Sequence, residues 1–243
     1  METRIDEVGE RIYRISTCIT AAGSDAFTFN QFLVDAEQPL LFHTGMRALF
    51  PAVREGVARV IPIERLRWIS FGHVEADECG SMNQWLAAAP HAQVVHGSLG
   101  CEVSIGDLAD RPPHAMEDGQ VLDLGGRRVR LVATPHVPHG WEAIVLFEEA
   151  TSTLLCGDLF SAAGAAPVLS SADPVEPALH FERMTGATAL TPRTGPTIRR
   201  LAELAPRRLA LMHGSTFEGD GAAALRALAD GYEALLEETI RAG

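Results

Sequence analysis

The segment Phe71-Gly-His-Val-Glu-Ala-Asp-Glu-Cys-Gly80 joins a predicted short apolar strand to a predicted helix and carries the most specific motif of the chain. In a locally extended chain, alternate side chains point to the same side, so His73, Glu75 and Asp77 would converge. One imidazole and two carboxylates in this short run form a hard nitrogen and oxygen ligand set for a metal ion. For the motif alone, a solvated charged loop is the alternative interpretation.

Three further candidate ligands stand where other predicted strands end, each close to a glycine that lets the backbone approach closely. They are His139, Asp158 and His213, which follow strands predicted at Arg128 to Ala133, Thr153 to Cys156 and Arg208 to Met212. Taken singly, each is an ordinary loop residue or strand-end cap. Because several strand ends share this design, we expect the three side chains to join the first motif in one metal cluster.

Both halves of the chain alternate β-rich segments with amphipathic helical patterns. In the first half, the predicted strands are Arg11 to Ile15, Phe27 to Val34, Pro39 to His43, Arg67 to Phe71 and Ala92 to His96, and the predicted helices are Met46 to Val60 and Ser81 to Ala89. The second half adds a hairpin around Gly125-Gly126, a second hairpin with strands Trp141 to Phe147 and Thr153 to Cys156, and helices at Pro177 to Met184, Pro196 to Leu204 and Gly221 to Ile240. The pattern predicts an α/β (α+β) fold, a four-layer αββα sandwich of two mixed β-sheets flanked by helices.

The composition favours one domain over residues 1–243, because no linker or low-complexity tract divides the chain. A net charge of −12, from 32 acidic and 20 basic side chains, disfavours nucleic acid and anionic membranes as partners. No apolar run approaches the roughly 20 residues of a membrane span, and the N-terminus lacks the apolar core of a secretory signal. Four dispersed cysteines without a CxxC motif agree with a reducing compartment, so we expect a cytoplasmic protein.

The order of the motifs resembles that of the metallo-β-lactamase superfamily: His-x-Glu-x-Asp, then a histidine, then Cys-Gly-Asp, then Met-His-Gly. Within that superfamily, the chain from about Val8 to Gly214 resembles the diiron core of flavodiiron proteins and of related oxygen-binding diiron proteins. The likeness includes the asparagine-containing strand Phe29 to Val34. The resemblance implies the following ligands: His73, Glu75 and His139 on one metal, Asp77 and His213 on the other, and Asp158 as the bridge.

Two residues near these ligands have open roles. The resemblance selects His139 over His136 as the ligand, since His139 lies 19 positions before Asp158 (158 − 139 = 19). His136 is then a candidate for the pocket or for a place behind the ligands. Glu78 stands where many related sites carry a histidine, and it could ligate the second metal, orient a bound water, or face solvent at the start of a helix.

Position 75 bears on the choice of metal. Zinc hydrolases of this superfamily typically carry His-x-His-x-Asp-His, whereas this chain has Glu75 in the middle and Glu78 at the end. A carboxylate in place of an imidazole makes the site harder and more anionic, which favours two iron ions over zinc. Zinc and manganese are the alternatives.

Three classes of function follow from this ligand set: a diiron oxidoreductase that reduces O2 or NO, a diiron sensor of these gases, and a zinc hydrolase of an ester, thioester or lactone. The predicted preference for iron favours the oxidoreductase and the sensor over the hydrolase. The sequence does not distinguish the oxidoreductase from the sensor. In flavodiiron proteins a fused flavodoxin domain supplies electrons. Here only thirty residues follow His213 (243 − 213 = 30) and no pair of CxxC motifs is present, so we expect no flavodoxin or rubredoxin domain and no bound flavin. The expected partners are an external electron donor and, because proteins of this architecture often pair, a second copy of the chain.

Overall fold

The computed structural model describes residues 3–20 and 26–242, which form two seven-stranded sheets. The predicted domain 1–243 includes residues 1–2, 21–25 and 243, which lie outside this described part. The first sheet contains β1 (Thr3–Gly9), β2 (Ile12–Ile19), β3 (Phe27–Val34), β4 (Leu40–Phe42), β5 (Trp68–Ser70), β6 (Gln93–Gly97) and β7 (His114–Met116). The second contains β8 (Val121–Asp123), β9 (Arg128–Ala133), β10 (Ile144–Glu148), β11 (Thr153–Leu155), β12 (Leu169–Ser170), β13 (Arg208–Ala210) and β14 (Thr216–Glu218).

Helices cover the outer faces of the sheets. They are α1 (Phe50–Ala58), α2 (Ala76–Cys79), α3 (Met82–Ala88), α4 (Ser98–Gly100), α5 (Gly106–Leu108), α6 (Val175–Thr185), α7 (Thr194–Ala202) and α8 (Gly221–Ala242). A π-helical turn, Cys101–Ile105, joins α4 to α5. Among the described residues, no helix combines the length and the apolar character that crossing a membrane requires.

Both sheets are mixed, as the sequence predicts. The first has the order β1-β2-β3-β4-β5-β6-β7, with antiparallel neighbours as far as β4 and parallel neighbours after it. The second has the order β12-β14-β13-β11-β10-β9-β8, parallel at the β11/β13 and β12/β14 pairs and antiparallel elsewhere. With the outer helices, this arrangement confirms the predicted four-layer sandwich.

The alternation of side chains along β3 shows why layers form. Phe32 and Val34 pack in the core between the two sheets, whereas Leu33 packs under α1 and α3 with Val53 and Trp85. Successive side chains of a strand point to opposite faces, so a strand that is apolar throughout buries both of them. A third core, under α6, α7 and α8, covers the outer face of the second sheet.

Some element boundaries differ from the prediction. Strand β1 was not predicted, because three of its seven residues are charged and it lies at a sheet edge, where the hydrophobic pattern is weak. The strand predicted from Trp141 begins only at Ile144, after a turn. The helix predicted from Met46 begins at Phe50 with Pro51 in its first turn, a place that suits proline.

The carboxyl ends of four strands meet at one edge of the sandwich. In the second sheet β9, β11 and β13 run in the same direction, since β9 and β11 are both antiparallel to β10, and β11 is parallel to β13. The segment after β5 reaches the same edge, where the Ile144 N–H donates to the Gly72 carbonyl at 2.8 Å and links the two sheets. The loops that carry the predicted metal ligands therefore lie together at this edge of the sandwich.

Candidate metal centre

The first motif is extended only in part. Glu75 has extended backbone angles, φ −139° and ψ 160°, but the chain turns into α2 at Ala76, so the expectation of an extended run as far as Asp77 is wrong. The Cys79 N–H donates to the Glu75 carbonyl at 2.8 Å and closes this turn. Acidic residues are favourable in the first turn of a helix, which accounts for its start beside Asp77. Successive residues then rotate by about 100° around the helix axis, so Asp77 and its neighbour Glu78 face different ways.

A first donor group contains His73, Glu75, His139 and Asp158, whose donor atoms all lie within 4.8 Å of one another. Glu75 Oε2 lies 2.9 Å from His73 Nε2 and 3.1 Å from His139 Nε2. Asp158 Oδ2 faces the same two nitrogens at 3.7 and 3.5 Å. Two imidazoles and two carboxylates thus surround one point, as the ligands of a metal ion do.

A second donor group lies on the other side of Asp158. His213 Nε2 is 3.2 Å from Asp158 Oδ1 and 3.4 Å from Asp77 Oδ2. Asp158 Oδ1 is buried and has no hydrogen-bond partner among the described residues. Asp158 thus places one carboxylate oxygen in each donor group, and its Oδ1 atom receives no hydrogen bond from the part of the chain that the structure describes. Such a carboxylate is suited to bridging two cations.

Backbone carbonyls orient two of the imidazoles. The carbonyls of Ala187 and Thr28 accept from His139 Nδ1 and His213 Nδ1, at 3.0 and 2.7 Å. Because a carbonyl can only accept, Nδ1 carries a proton, and Nε2, which faces the cluster, is the nitrogen that can bind a metal when it is deprotonated. Such bonds are the usual support of histidine ligands.

The electrostatics of the cluster favour positive charge. Burial opposes protonation of His213, but Asp158 and Asp77 outweigh it and raise its pKa to about 10. In the same way Glu78 and Glu75 outweigh burial and raise the pKa of His73 to about 9. The hydrogen bond from His73 in turn lowers the pKa of Glu75 to about 2. A divalent cation would satisfy the same carboxylates in place of these protons, so the donor set fits metal ions.

The structure separates Glu78 and His136 from the two donor groups. Glu78 is fully buried, so its interpretation as a solvent-facing residue is wrong; its carboxylate lies beside Gly72, His43 and His73 rather than Asp77. Burial raises the pKa of Glu78, and the charge of His73 beside it opposes that shift. His136 is exposed, and its backbone N–H donates to the Gly140 carbonyl, whereas His139 reaches the cluster.

A cavity of about 160 Å³ opens onto both donor groups. Its opposite wall comes from β3, α6, α8 and the loop after α6, through Phe27, Ala178, Phe181, Glu182, Ala187, Thr188 and Tyr232. Phe27 stacks on His213, with ring centroids 4.3 Å apart. These wall residues were missed in the sequence, because nothing in their spacing links them to the ligand motifs.

The family follows from comparison with known proteins. A family model described as ODP family beta lactamase matches residues 27–214, which include every candidate ligand. The chain belongs to this ODP family. Among solved structures similar to this ODP-family chain is rubredoxin oxygen:oxidoreductase from Desulfovibrio gigas, with a TM-score of 0.80 and 21% identity over 95% of this chain and 62% of that one. The Flv1 flavodiiron core from Synechocystis sp. PCC6803 has a TM-score of 0.80 and 17% identity, over 96% and 61% of the two chains.

These likenesses confirm the resemblance to the diiron core of flavodiiron proteins. Among curated relatives of the ODP-family chain, rubredoxin-oxygen oxidoreductase from Megalodesulfovibrio gigas is 25% identical over 200 residues, covering 79% of this chain and 50% of the relative. The chain spans no more than half the length of the curated relatives it matches first. The fold is thus that of the metallo-β-lactamase type found in flavodiiron cores, and the activity of the longer relatives is a separate question.

Proposed function

We propose that this ODP-family chain is a diiron protein that binds O2 or NO and reduces it with electrons from a separate donor. The observation that carries the proposal is the position of Asp158, which offers one oxygen to each donor group. His73, Glu75 and His139 would hold the first iron with Asp158, and Asp77 and His213 would hold the second with it. Two ferrous ions, if bound there, would supply electrons to a diatomic molecule.

The donor set supports iron over zinc. The two groups together contain three imidazoles and three carboxylates, counting Asp158 once. Catalytic zinc is commonly held by sets richer in imidazole, whereas imidazole with carboxylate suits non-haem iron. Three carboxylates also offset much of the charge that iron carries when it is oxidised.

The cavity supports a small substrate. At about 160 Å³ it is smaller than the pockets for larger organic ligands, which measure about 300 Å³ or more. Phe27 and Phe181 stack with ring centroids 5.8 Å apart, which makes part of the far wall apolar. A small cavity with a partly apolar wall suits a diatomic gas better than a larger acyl substrate.

The donor of electrons is proposed by analogy. The name of one relative, rubredoxin-oxygen oxidoreductase, gives both an electron donor and an electron acceptor. The half-exposed Glu75 and the partly exposed His139 make the first donor group the more accessible one, whereas His213 is buried. We therefore propose that a separate redox protein delivers electrons at the Glu75 side.

Metal analysis tests the proposed function. Protein produced with iron and zinc both available is expected to contain one iron for each donor group, to develop a visible absorption band when the reduced form meets air, and to consume O2 or NO when a reduced donor is added. A stable band with very slow turnover would indicate a sensor instead. Zinc occupancy, no visible band and cleavage of acyl substrates would contradict the proposal and support a hydrolase.

A bulkier side chain at the mouth of the cavity should slow the reaction with gas. Ala187 is exposed, lines the cavity, and supports His139 only through its backbone carbonyl. Replacing it with phenylalanine is expected to slow oxygen consumption by the reduced protein while the iron content is retained. Stopped-flow absorbance measures the rate, and Ala187→Ser is the matched control. An unchanged rate in the phenylalanine variant would show that gas does not enter through this cavity.

A further inference from the structure

The carboxylate of Glu78 lies behind His73, on the side of the ring that faces away from the two donor groups. His73 Nε2 faces Glu75 at 2.9 Å, and its other nitrogen, Nδ1, lies 3.6 Å from Glu78 Oε1. The two nitrogens occupy different edges of the imidazole ring. Glu78 therefore approaches the cluster from the rear of a ligand.

The space for this carboxylate is made by two glycines that precede ligands. A Cβ atom at Gly72 would lie 3.1 Å from both oxygens of Glu78, which is tighter than an ordinary contact. A Cβ at Gly157, which has φ +56°, would lie 3.4 Å from Glu78 Oε1. The glycines before His73 and Asp158 thus form a built cradle around a fully buried acid.

The hydrogen bonds of the cradle leave one oxygen directed at His73. Glu78 Oε2 accepts the Gly72 N–H at 2.5 Å and lies 3.4 Å from His43 Nε2. His43 is buried, and its backbone has a positive φ of 66°. Its Nδ1 is hydrogen-bonded to the Asn30 carbonyl at 3.1 Å, which holds the ring in place. Glu78 Oε1 is buried and has no hydrogen-bond partner among the described residues.

We propose that Glu78 is a positioning residue, whose Oε1 accepts the Nδ1–H of His73 and so holds Nε2 of that ring toward the first metal. The separation of 3.6 Å is longer than a hydrogen bond, and a shift of about 0.5 Å closes it. His139 and His213 receive the same support from neutral carbonyls, whereas His73 receives it from a carboxylate. A carboxylate makes the imidazole a stronger electron donor, which favours the more highly charged state of the metal.

This inference rests on the proposed metal centre but not on the identity of the gas. Its test is therefore a titration of the whole chain with Co²⁺ in the absence of oxygen, followed by absorption and by NMR of the shifted imidazole N–H protons. Glu78→Gln preserves size and an acceptor for the Gly72 N–H but removes the charge. Glu148→Gln is the matched control, since Glu148 is equally buried but pairs with Arg127 at 3.0 Å, outside both donor groups.

The expected result has three parts. Glu78→Gln should bind as much Co²⁺ as the unaltered chain, with the affinity of the first donor group weakened roughly 10–100-fold. One imidazole N–H signal should move, and in the iron form the reduction potential should rise. Glu148→Gln should change none of these quantities.

Gly72→Ala is the second variant. Its added Cβ presses on both oxygens of Glu78 without altering Glu78 itself, and it should also weaken the affinity of the first donor group for Co²⁺.

Each other outcome overturns the inference in a distinguishable way. Loss of one whole equivalent of Co²⁺ in Glu78→Gln would make Glu78 a ligand. Affinity and N–H signals equal to those of the control, in both Glu78→Gln and Gly72→Ala, would make it a structural acid only. Failure of the unaltered chain to bind Co²⁺ would reject the metal centre itself, and with it the proposed function.

Discussion

Replacement of Asp158 by alanine is expected to remove both metal ions. Asp158 Oδ2 faces His73 and His139, and Oδ1 faces His213 at 3.2 Å, so the substitution deletes a donor from both groups at once. The second group would retain only Asp77 and His213, fewer than the three protein ligands of a typical open metal site. The first group would lose the carboxylate that offsets its charge and that joins it to the second metal. Inductively coupled plasma analysis after dialysis should find almost no metal in the variant.

A matched control separates this effect from the loss of any acidic group. Asp107 is an exposed aspartate in α5 that takes no part in either donor group, and Asp107→Ala should keep its full metal content. Circular dichroism shows whether Asp158→Ala is folded. Full metal stoichiometry in a folded Asp158→Ala chain would refute the bridge.

The strand-end ligands could be predicted from the sequence because their arrangement follows from sheet geometry. Asp158 and His213 follow the parallel strands β11 and β13, whose carboxyl ends lie side by side. His139 follows β9, which runs in the same direction. Once the strands are recognised, parallel carboxyl ends bring such residues together without further information. The choice between His139 and His136 needed the family resemblance, because both follow the same strand.

The place of Glu78 could not be predicted from the sequence. An acidic residue in the first turn of a helix is usually solvated and is favoured there by the helix dipole. The sequence around Glu78 gives no indication that its side chain is buried. The short helix α2 turns Glu78 under the cluster, where room exists only because Gly72 and Gly157 lack side chains. This placement depends on residues from two sheets and so on the complete fold.

The residues on the far wall of the cavity could not be predicted from the sequence either. Phe181 lies in α6 and Tyr232 in α8, and both reach the ligands only when these helices pack on the second sheet. Side chains of amphipathic helices are ordinarily assigned to the core, since helical spacing reports only that a face is buried. Which buried residues border a cavity is decided by how the helices pack.

Replacing Glu75 with histidine is expected to move the metal preference from iron toward zinc. Glu75 Oε2 lies between His73 Nε2 and His139 Nε2, at 2.9 and 3.1 Å, so an imidazole in its place would complete a three-histidine group with Asp158. From residue 73 the variant would also read His-x-His-x-Asp, the motif typical of the zinc hydrolases. The half-exposed side chain has space for the larger ring. The ratio of zinc to iron, measured in protein produced with both metals, should rise by about tenfold or more, which corresponds to roughly 1.4 kcal/mol.

The same variant should lose the absorption band that follows exposure to oxygen, since zinc has no redox chemistry. Glu75→Gln is the informative companion, because it removes the charge without adding an imidazole. If the charge selects iron and the added imidazole selects zinc, Glu75→Gln should bind less iron and gain no zinc, whereas Glu75→His should gain zinc. Iron content and spectrum unchanged in Glu75→His would show that Glu75 is not a ligand, and the preference for iron would then have to come from the remaining carboxylates, Asp77 and Asp158.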